Sequence, residues 1–396
     1  MSVRSIFENV PSFFLLAVGL IASTIAVTNA NVQAENVITE VSGITRLGGK
    51  LLMVSDDANG CYFELKIDDL SASVIPIDPV KIKRVKMNGC EAVGDFESIA
   101  VLADGRVAIL SEDMHALYAP TRPGASSWGV LVKYDQSVSE FGNRGLEGVS
   151  SLASSDGTSK VAVVWEGGYP VVSSLPEQIQ NTVGHSPLVP ILVLTDVPRN
   201  AMGLEVDDTA SYISLRLPKL KESGSATNEP ILLDSELPKA TEPNDEPAPP
   251  FAQRFRAPDL VWHQWKTDSG VDTGLIVLLT SENSPLRGSG ASHEFKYKEL
   301  QRFDQRGKPV GTAIEINDLV KPIFDNVSAV QMRTWSERMK LEFAEVRKLL
   351  EEQNWENVNW EGLDWFVRGQ SLILIYDGVP TDPPFAVVIP IPDNWK

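Results

Sequence analysis

GDFESIAVLADGRVAILSED, residues 94–113, is the stretch that decides the fold. It opens on a carboxylate, a small residue and an aliphatic residue, Glu97-Ser98-Ile99, at the head of an apolar run. Asp104-Gly105 then interrupts the run with a dipeptide that accepts the positive φ of a tight hairpin. A second apolar run, VAILS, follows and ends on Glu112 and Asp113. Strand, turn, strand is the reading.

The same unit recurs on both sides. GNRGLEGVSSLASSDGTSKVAVVWEG (142–167) carries Glu147-Gly148-Val149 and a turn at Asp156-Gly157, and ENVNWEGLDWFVRGQSLILIYDG (356–378) carries Glu361-Gly362-Leu363. VSGITRLGGKLLMVSDD (41–57) fits with Ser42 in the carboxylate's place, and PDLVWHQWKTDSGVDTGLIVLLTSEN (258–283) is a looser copy led by Asp259. Asn59-Gly60 joins LLMVSD to a further run, CYFELKID, which closes on Asp as do VLVKYD (130–135), ILVLTD (191–196) and LQRFD (300–304). Strand, turn, strand and a strand ending in Asp make one blade of a propeller. Self-similarity from Val41 to the C-terminus favours a closed ring over a sandwich or a pair of β domains, because closure buries each blade's apolar face on its neighbours. The expected fold class is all-β: a β-propeller of about six blades.

Two stretches break the repeat. Residues 221–258 are rich in Pro, Glu, Ser and Asn and are expected to form a flexible surface loop. Residues 325–353 place Met332, Trp335, Met339, Phe343, Val346 and Leu350 at spacings of three and four, which predicts one inserted α-helix. Its stripe faces either the propeller or a partner. Removing loop, helix and N-terminus leaves about 295 residues, roughly 45–50 for each of six blades.

The chain has 396 residues, 35 Lys and Arg against 53 Asp and Glu, and a net charge of −18. That field repels phosphate backbones and anionic lipid and suits cations, so nucleic acid is not an expected partner. Arg4 precedes the uncharged run FFLLAVGLIASTIAV (13–27), and Val32 and Ala34 stand at −3 and −1 of a cleavage site before Glu35. This pattern predicts a signal peptide over 1–34 and export of residues 35–396 to the periplasm or the medium. No later run is long and apolar enough to span a bilayer, so no stable membrane span is expected after cleavage. Cys61 and Cys90 are the only cysteines. In an oxidising compartment they form either one disulfide, stabilising by roughly 3–4 kcal/mol, or two buried thiols.

NRGLEGVSSL (143–152), DFESIAVLADGRVAILSED (95–113) and NWEGLDWF (359–366) resemble the phytase-like family, whose domain is described by an esterase-like activity of phytase. SGI followed by LLMVSDDANG is similar to that family's first repeat. The resemblance covers most of Val41–Asp377 and implies an exported, calcium-assisted propeller acting on a small ester or phosphoester.

Equivalent positions of successive blades converge on a propeller's axis. Glu97, Glu147 and Glu361 are therefore candidate ligands of one cation, and a ring of hard oxygens suits calcium better than zinc. The other reading is that these acids bond backbone N–H groups and fix the blade turns. A second series, Asp56, Asp57, Glu112, Asp113, Glu166, Glu282 and Asp377, falls at strand ends near the expected channel mouth. Arg144 and Arg368 are candidate contacts for a substrate anion, and His115 could approach the same mouth. Trp355, Trp360 and Trp365 surround Glu361, as blade packing or as a stacking rim. The chain has neither a GxSxG elbow nor an HExxH motif, so the catalytic residues are not legible. Two functions stand: a calcium-assisted ester or phosphoester hydrolase, and a non-catalytic propeller that binds a ligand or protein and uses any calcium structurally.

Overall fold

The computed structural model describes residues 38, 40–78, 81–134, 145–165, 190–206, 211–215, 251–267, 270–285, 294–326, 359–377 and 385–396. They form five antiparallel sheets, each one blade. Blade 1 is β1 (Gly43–Leu47), β2 (Lys50–Val54), β3 (Cys61–Lys66) and β5 (Ile82–Lys86). Blade 2 is β6 (Phe96–Val101), β7 (Val107–Ser111), β8 (Ala116–Pro120) and β9 (Trp128–Lys133), edged in parallel by β13 (Leu204–Glu205). Blade 3 is β10 (Leu146–Ala153), β11 (Ser159–Trp165), β12 (Ile191–Val197) and β14 (Ser211–Ser214). Blade 4 is β15 (Phe251–Thr267), β16 (Gly270–Pro285), β17 (Glu294–Asp304) and β18 (Pro309–Glu315). Blade 5 is β19 (Asn359–Val367), β20 (Ser371–Asp377) and β21 (Phe385–Pro390), completed by β4 (Val74–Pro76).

That last strand closes the ring. β4 leaves blade 1 after β3 and pairs with β21, Phe385 opposite Pro76 and Val387 opposite Val74. The last blade is thus completed by chain from near the first, which ties the two ends of the ring together. The inner strands touch in one cycle, β1 to β6, β10, β15, β19 and back to β1. Five buried apolar clusters match the five blade interfaces: Ile44, Leu51 and Phe63 with Ile373 and Ile375 between blades 1 and 5, for example, and Leu110 and Leu117 with Val161 and Val163 between blades 2 and 3. Each blade is apolar on both faces, so it is stable only between two others.

The propeller is confirmed, with five blades in place of the expected six. The difference lies in blades 3 and 4, which span 146–214 and 251–315; the first three strands of blade 4 are 17, 16 and 11 residues long against five to six for blade 1. A uniform repeat length divides the chain into too many units. Part of the expected loop, Phe251–Pro258, is instead the start of β15; residues 221–250 lie outside the described residues. A helix α1 (Ile316–Asn326) precedes the predicted one, its Ile316, Val320 and Phe324 buried at intervals of four against blades 4 and 5. Residues 327–358, most of the predicted helix, lie outside the described residues. Among the described residues no helix is long and apolar enough to cross a membrane.

The Asp104-Gly105 turn forms as the sequence predicts, with Gly105 at a φ of 83°. Asp104 also anchors the turn inward, accepting Arg106 Nε at 2.8 Å, while Arg106 Nη1 donates to the Ala201 carbonyl at 2.9 Å. Cys61 and Cys90 are buried as two separate thiols, Cys61 in the cluster between blades 1 and 5 and Cys90 in that between blades 1 and 2. Cys61 Sγ accepts Arg84 Nε at 2.9 Å.

Candidate functional site

The inner strands carry their chemistry beside register irregularities. β6, β10 and β19 have one near their starts, at Phe96/Ser98, Leu146/Gly148 and Glu361/Leu363, and the long β15 has one further along, at Arg256/Asp259. Glu97 and Glu147 are the residues these bulges leave out of the ladder. A bulge re-aims a side chain that regular alternation would direct into a blade interface. Here it turns two glutamates toward one end of the channel.

Glu97 is where the acids meet. Burial raises its pKa well above the ordinary carboxylate range, and the charges of Glu147, Glu112, Asp95 and Glu361 raise it further. Glu147 and Glu361 therefore both lie within electrostatic reach of Glu97. Oxygens of Asp95, Glu97 and Glu112 all lie within 4.8 Å of each other. Glu112 and Glu147 are buried; Asp95, Glu97 and Glu361 are half-buried. A second trio, Glu40, Asp56 and Asp57, is equally tight. The Asp56 carboxyl is pushed up to about 7 by burial and by Glu40, with Glu361 adding to the effect. Blades 1, 2, 3 and 5 thus contribute acids to one mouth.

Asp95 and Glu40 are ligand candidates that the repeat pattern does not reveal. Both have positive φ, 53° and 49°, which turns their side chains out of strand alternation. Gly145 makes room for the cluster: a Cβ there would stand 2.2 Å from Glu112 Cγ. His115, at a φ of 47°, is half-buried, and burial lowers its pKa while Asp113 opposes the shift. Glu166, Arg144 and Trp355, and the side chains of Glu282 and Asp377, lie outside the described residues.

Asp259 departs from its expected place. Its register sets it level with Ser98 and Gly148, at the small-residue position of the triplet, and it is fully buried. Its Oδ1 accepts the Leu260 N–H at 2.8 Å and the Ser98 hydroxyl at 3.2 Å, and its Oδ2 accepts the Leu363 N–H at 2.6 Å. It fills the middle of the channel and leaves a mouth at each end.

Arg368 belongs to the other mouth. It lines a cavity of about 310 Å³ with Thr45, Arg46, Ser150, Ser151, Asp364 and the aromatic Trp365 and Phe366. Seven residues of extended chain, on the order of 20 Å, separate it from Glu361. The structure therefore does not bring Arg368 to the glutamates. Trp360 packs edge-on to Tyr376 at 5.8 Å, and Trp365 Nε1 donates to the Trp262 carbonyl at 2.7 Å, so both serve blade packing.

No family model matches the chain, and no curated protein matches it by sequence. Among solved structures it is similar to virginiamycin B lyase from Staphylococcus aureus, with a TM-score of 0.33 and 9% identity over 89% of this chain and 96% of that one. A catalytically inactive variant of that lyase with quinupristin gives 0.33 and 10%, over 90% and 97%. Dihydro-heme d1 dehydrogenase NirN in complex with DHE gives 0.28 and 10%, over 89% and 66%. Likenesses this weak carry no argument about activity. The propeller rests on the sheets themselves.

Proposed function

We propose that the protein is an exported, phytase-like propeller that binds calcium at its carboxylate mouth and hydrolyses a phosphoester or ester there. The observation that carries this reading is the convergence of Asp95, Glu97 and Glu112 within 4.8 Å, with Glu147 and Glu361 close enough to perturb Glu97. Two oxygens on opposite sides of one calcium at ~2.4 Å are at most about 4.8 Å apart, so the trio fits one ion. The donors are all carboxylate, the hard-oxygen set that calcium prefers over zinc. Without a cation such a cluster must hold protons, as the raised pKa of Glu97 and Asp95 reflects. Asp95, Glu97 and Glu112 would hold the ion, with Glu147 and Glu361 beside it. Calcium, when bound, polarises an ester oxygen and offsets its developing charge. Asp56, half-buried and within electrostatic reach of Glu361, would orient a water.

The burial of Glu112 and Glu147 favours a second reading, a saturated ion that only ties blades 2 and 3 together. One experiment separates the two. Metal content is measured on purified protein, and hydrolysis of p-nitrophenyl phosphate, p-nitrophenyl acetate and an inositol phosphate is followed with calcium and with chelator. Calcium-dependent turnover supports the hydrolase. Bound calcium without turnover supports the structural ion, and no calcium at all overturns both.

A further inference from the structure

The mouth opposite the acids has the composition of a different site. Its cavity brings two arginines, Arg46 and Arg368, together with one carboxylate, Asp364, in a chain whose net charge is −18. That carboxylate is already served: Asp364 Oδ2 accepts the Thr45 hydroxyl, and burial pushes its carboxyl up to about 6. Arg46 is held in place by the carbonyls of Gly48, at 2.9 Å, and Phe366, with its guanidinium 4.8 Å from the Phe366 ring centre. Arg368 is exposed at the rim. The balance of fixed charge is positive.

The hydroxyls add direction. Ser151 Oγ is buried with no hydrogen-bond partner among the described residues, which costs free energy unless something else bonds it. Ser150 Oγ accepts the Trp262 N–H at 3.0 Å, so its own proton remains to donate. The cavity volume, about 310 Å³, lies at the small end of ligand sites. Trp365 and Phe366 supply an apolar wall for a short carbon skeleton. We propose that this mouth binds a small hydroxylated organic anion, a carboxylate or a phosphate monoester, its charge on Arg368 and Arg46 and its hydroxyls on Ser150 and Ser151. The site does not depend on the calcium reading, since Asp259 stands between the two mouths.

The test is calorimetric titration of the full chain with glycerol 3-phosphate, glycerate and glycerol. The buffer is stripped of metal on resin, because a dissolved chelator is itself a polycarboxylate. Saturable binding of either anion, without binding of glycerol, is the expected result, and the anion preferred names the headgroup. Arg368→Gln, an exposed change, should weaken it by about tenfold or more, and Ser151→Ala by a few fold. Glu147→Gln, at the other mouth, should leave it unchanged. No saturable heat with either anion up to about 10 mM, equal binding of glycerol, or unaltered affinity in Arg368→Gln would each overturn the proposal.

Discussion

The Asp259 carboxylate accepts the backbone N–H of Leu363 at 2.6 Å, from one inner strand to the next, at the centre of the ring. The same side chain takes the Ser98 hydroxyl of blade 2. One buried acid therefore joins three of the five blades. Asp259→Asn replaces one acceptor oxygen with an amide that meets an N–H. An orphaned buried polar group costs about 1–3 kcal/mol, so chemical denaturation should show a loss of that size with the β-rich spectrum retained.

Close approach at the same level limits what the inner strands can carry. A Cβ on Gly148 would stand 2.7 Å from Asp259 Cα, and one on Gly43 would stand 2.6 Å from Ser98 Cα. Both neighbours are backbone and cannot swing away. Gly148→Ala and Gly43→Ala should each destabilise by about 1–3 kcal/mol or more, whereas Gly49→Ala, in open space, should leave the midpoint near wild type.

Calcium is expected to stabilise the folded chain. At a hundredfold excess over Kd, an ion that binds only the folded state adds about 2.7 kcal/mol. Millimolar calcium should raise Tm by several degrees and chelator should reverse it. Glu147→Gln keeps the shape and removes a charge beside Glu97, so it should remove most of that rise. Identical melting of the wild type in calcium and in chelator would count against the metal site.

Stability in metal-free buffer should fall as pH rises from about 4 to 7. Asp56 and Asp364 titrate near 7 and near 6 in the folded chain against 3.8 for a free aspartate, and Glu97 is also raised. The folded state then binds more protons than the unfolded one, which makes the slope of unfolding free energy against pH negative through that window. Contributions from these groups are complete below about pH 4 and lost above about 7. Urea midpoints at pH 4.5, 6 and 7.5 test the sign, and added calcium should flatten the decline at the upper end.

Apolar runs, Asp-Gly turns and a triplet repeated at Glu97, Glu147 and Glu361 were enough to read a propeller from the sequence, because strand, turn and blade burial are local demands on residue type. Blade count was not among them. Strand length in blade 4 and the loan of β4 to blade 5 depend on which chain segments pair, and pairing is a long-range matter that a repeat length does not encode. The acids at positions 97, 147 and 361 were legible as a series, but bulges and positive φ values decide where they aim, and these brought in Asp95 and Glu40. Asp259 looked like one more acid of that series; a register shift in β15 set it into the small-residue layer, where it divides the channel. Arg368 sits only seven residues beyond Glu361, yet an extended strand carries it to the opposite mouth. Residue type set the chemistry available to this chain, and backbone geometry at the axis sorted that chemistry between its two ends.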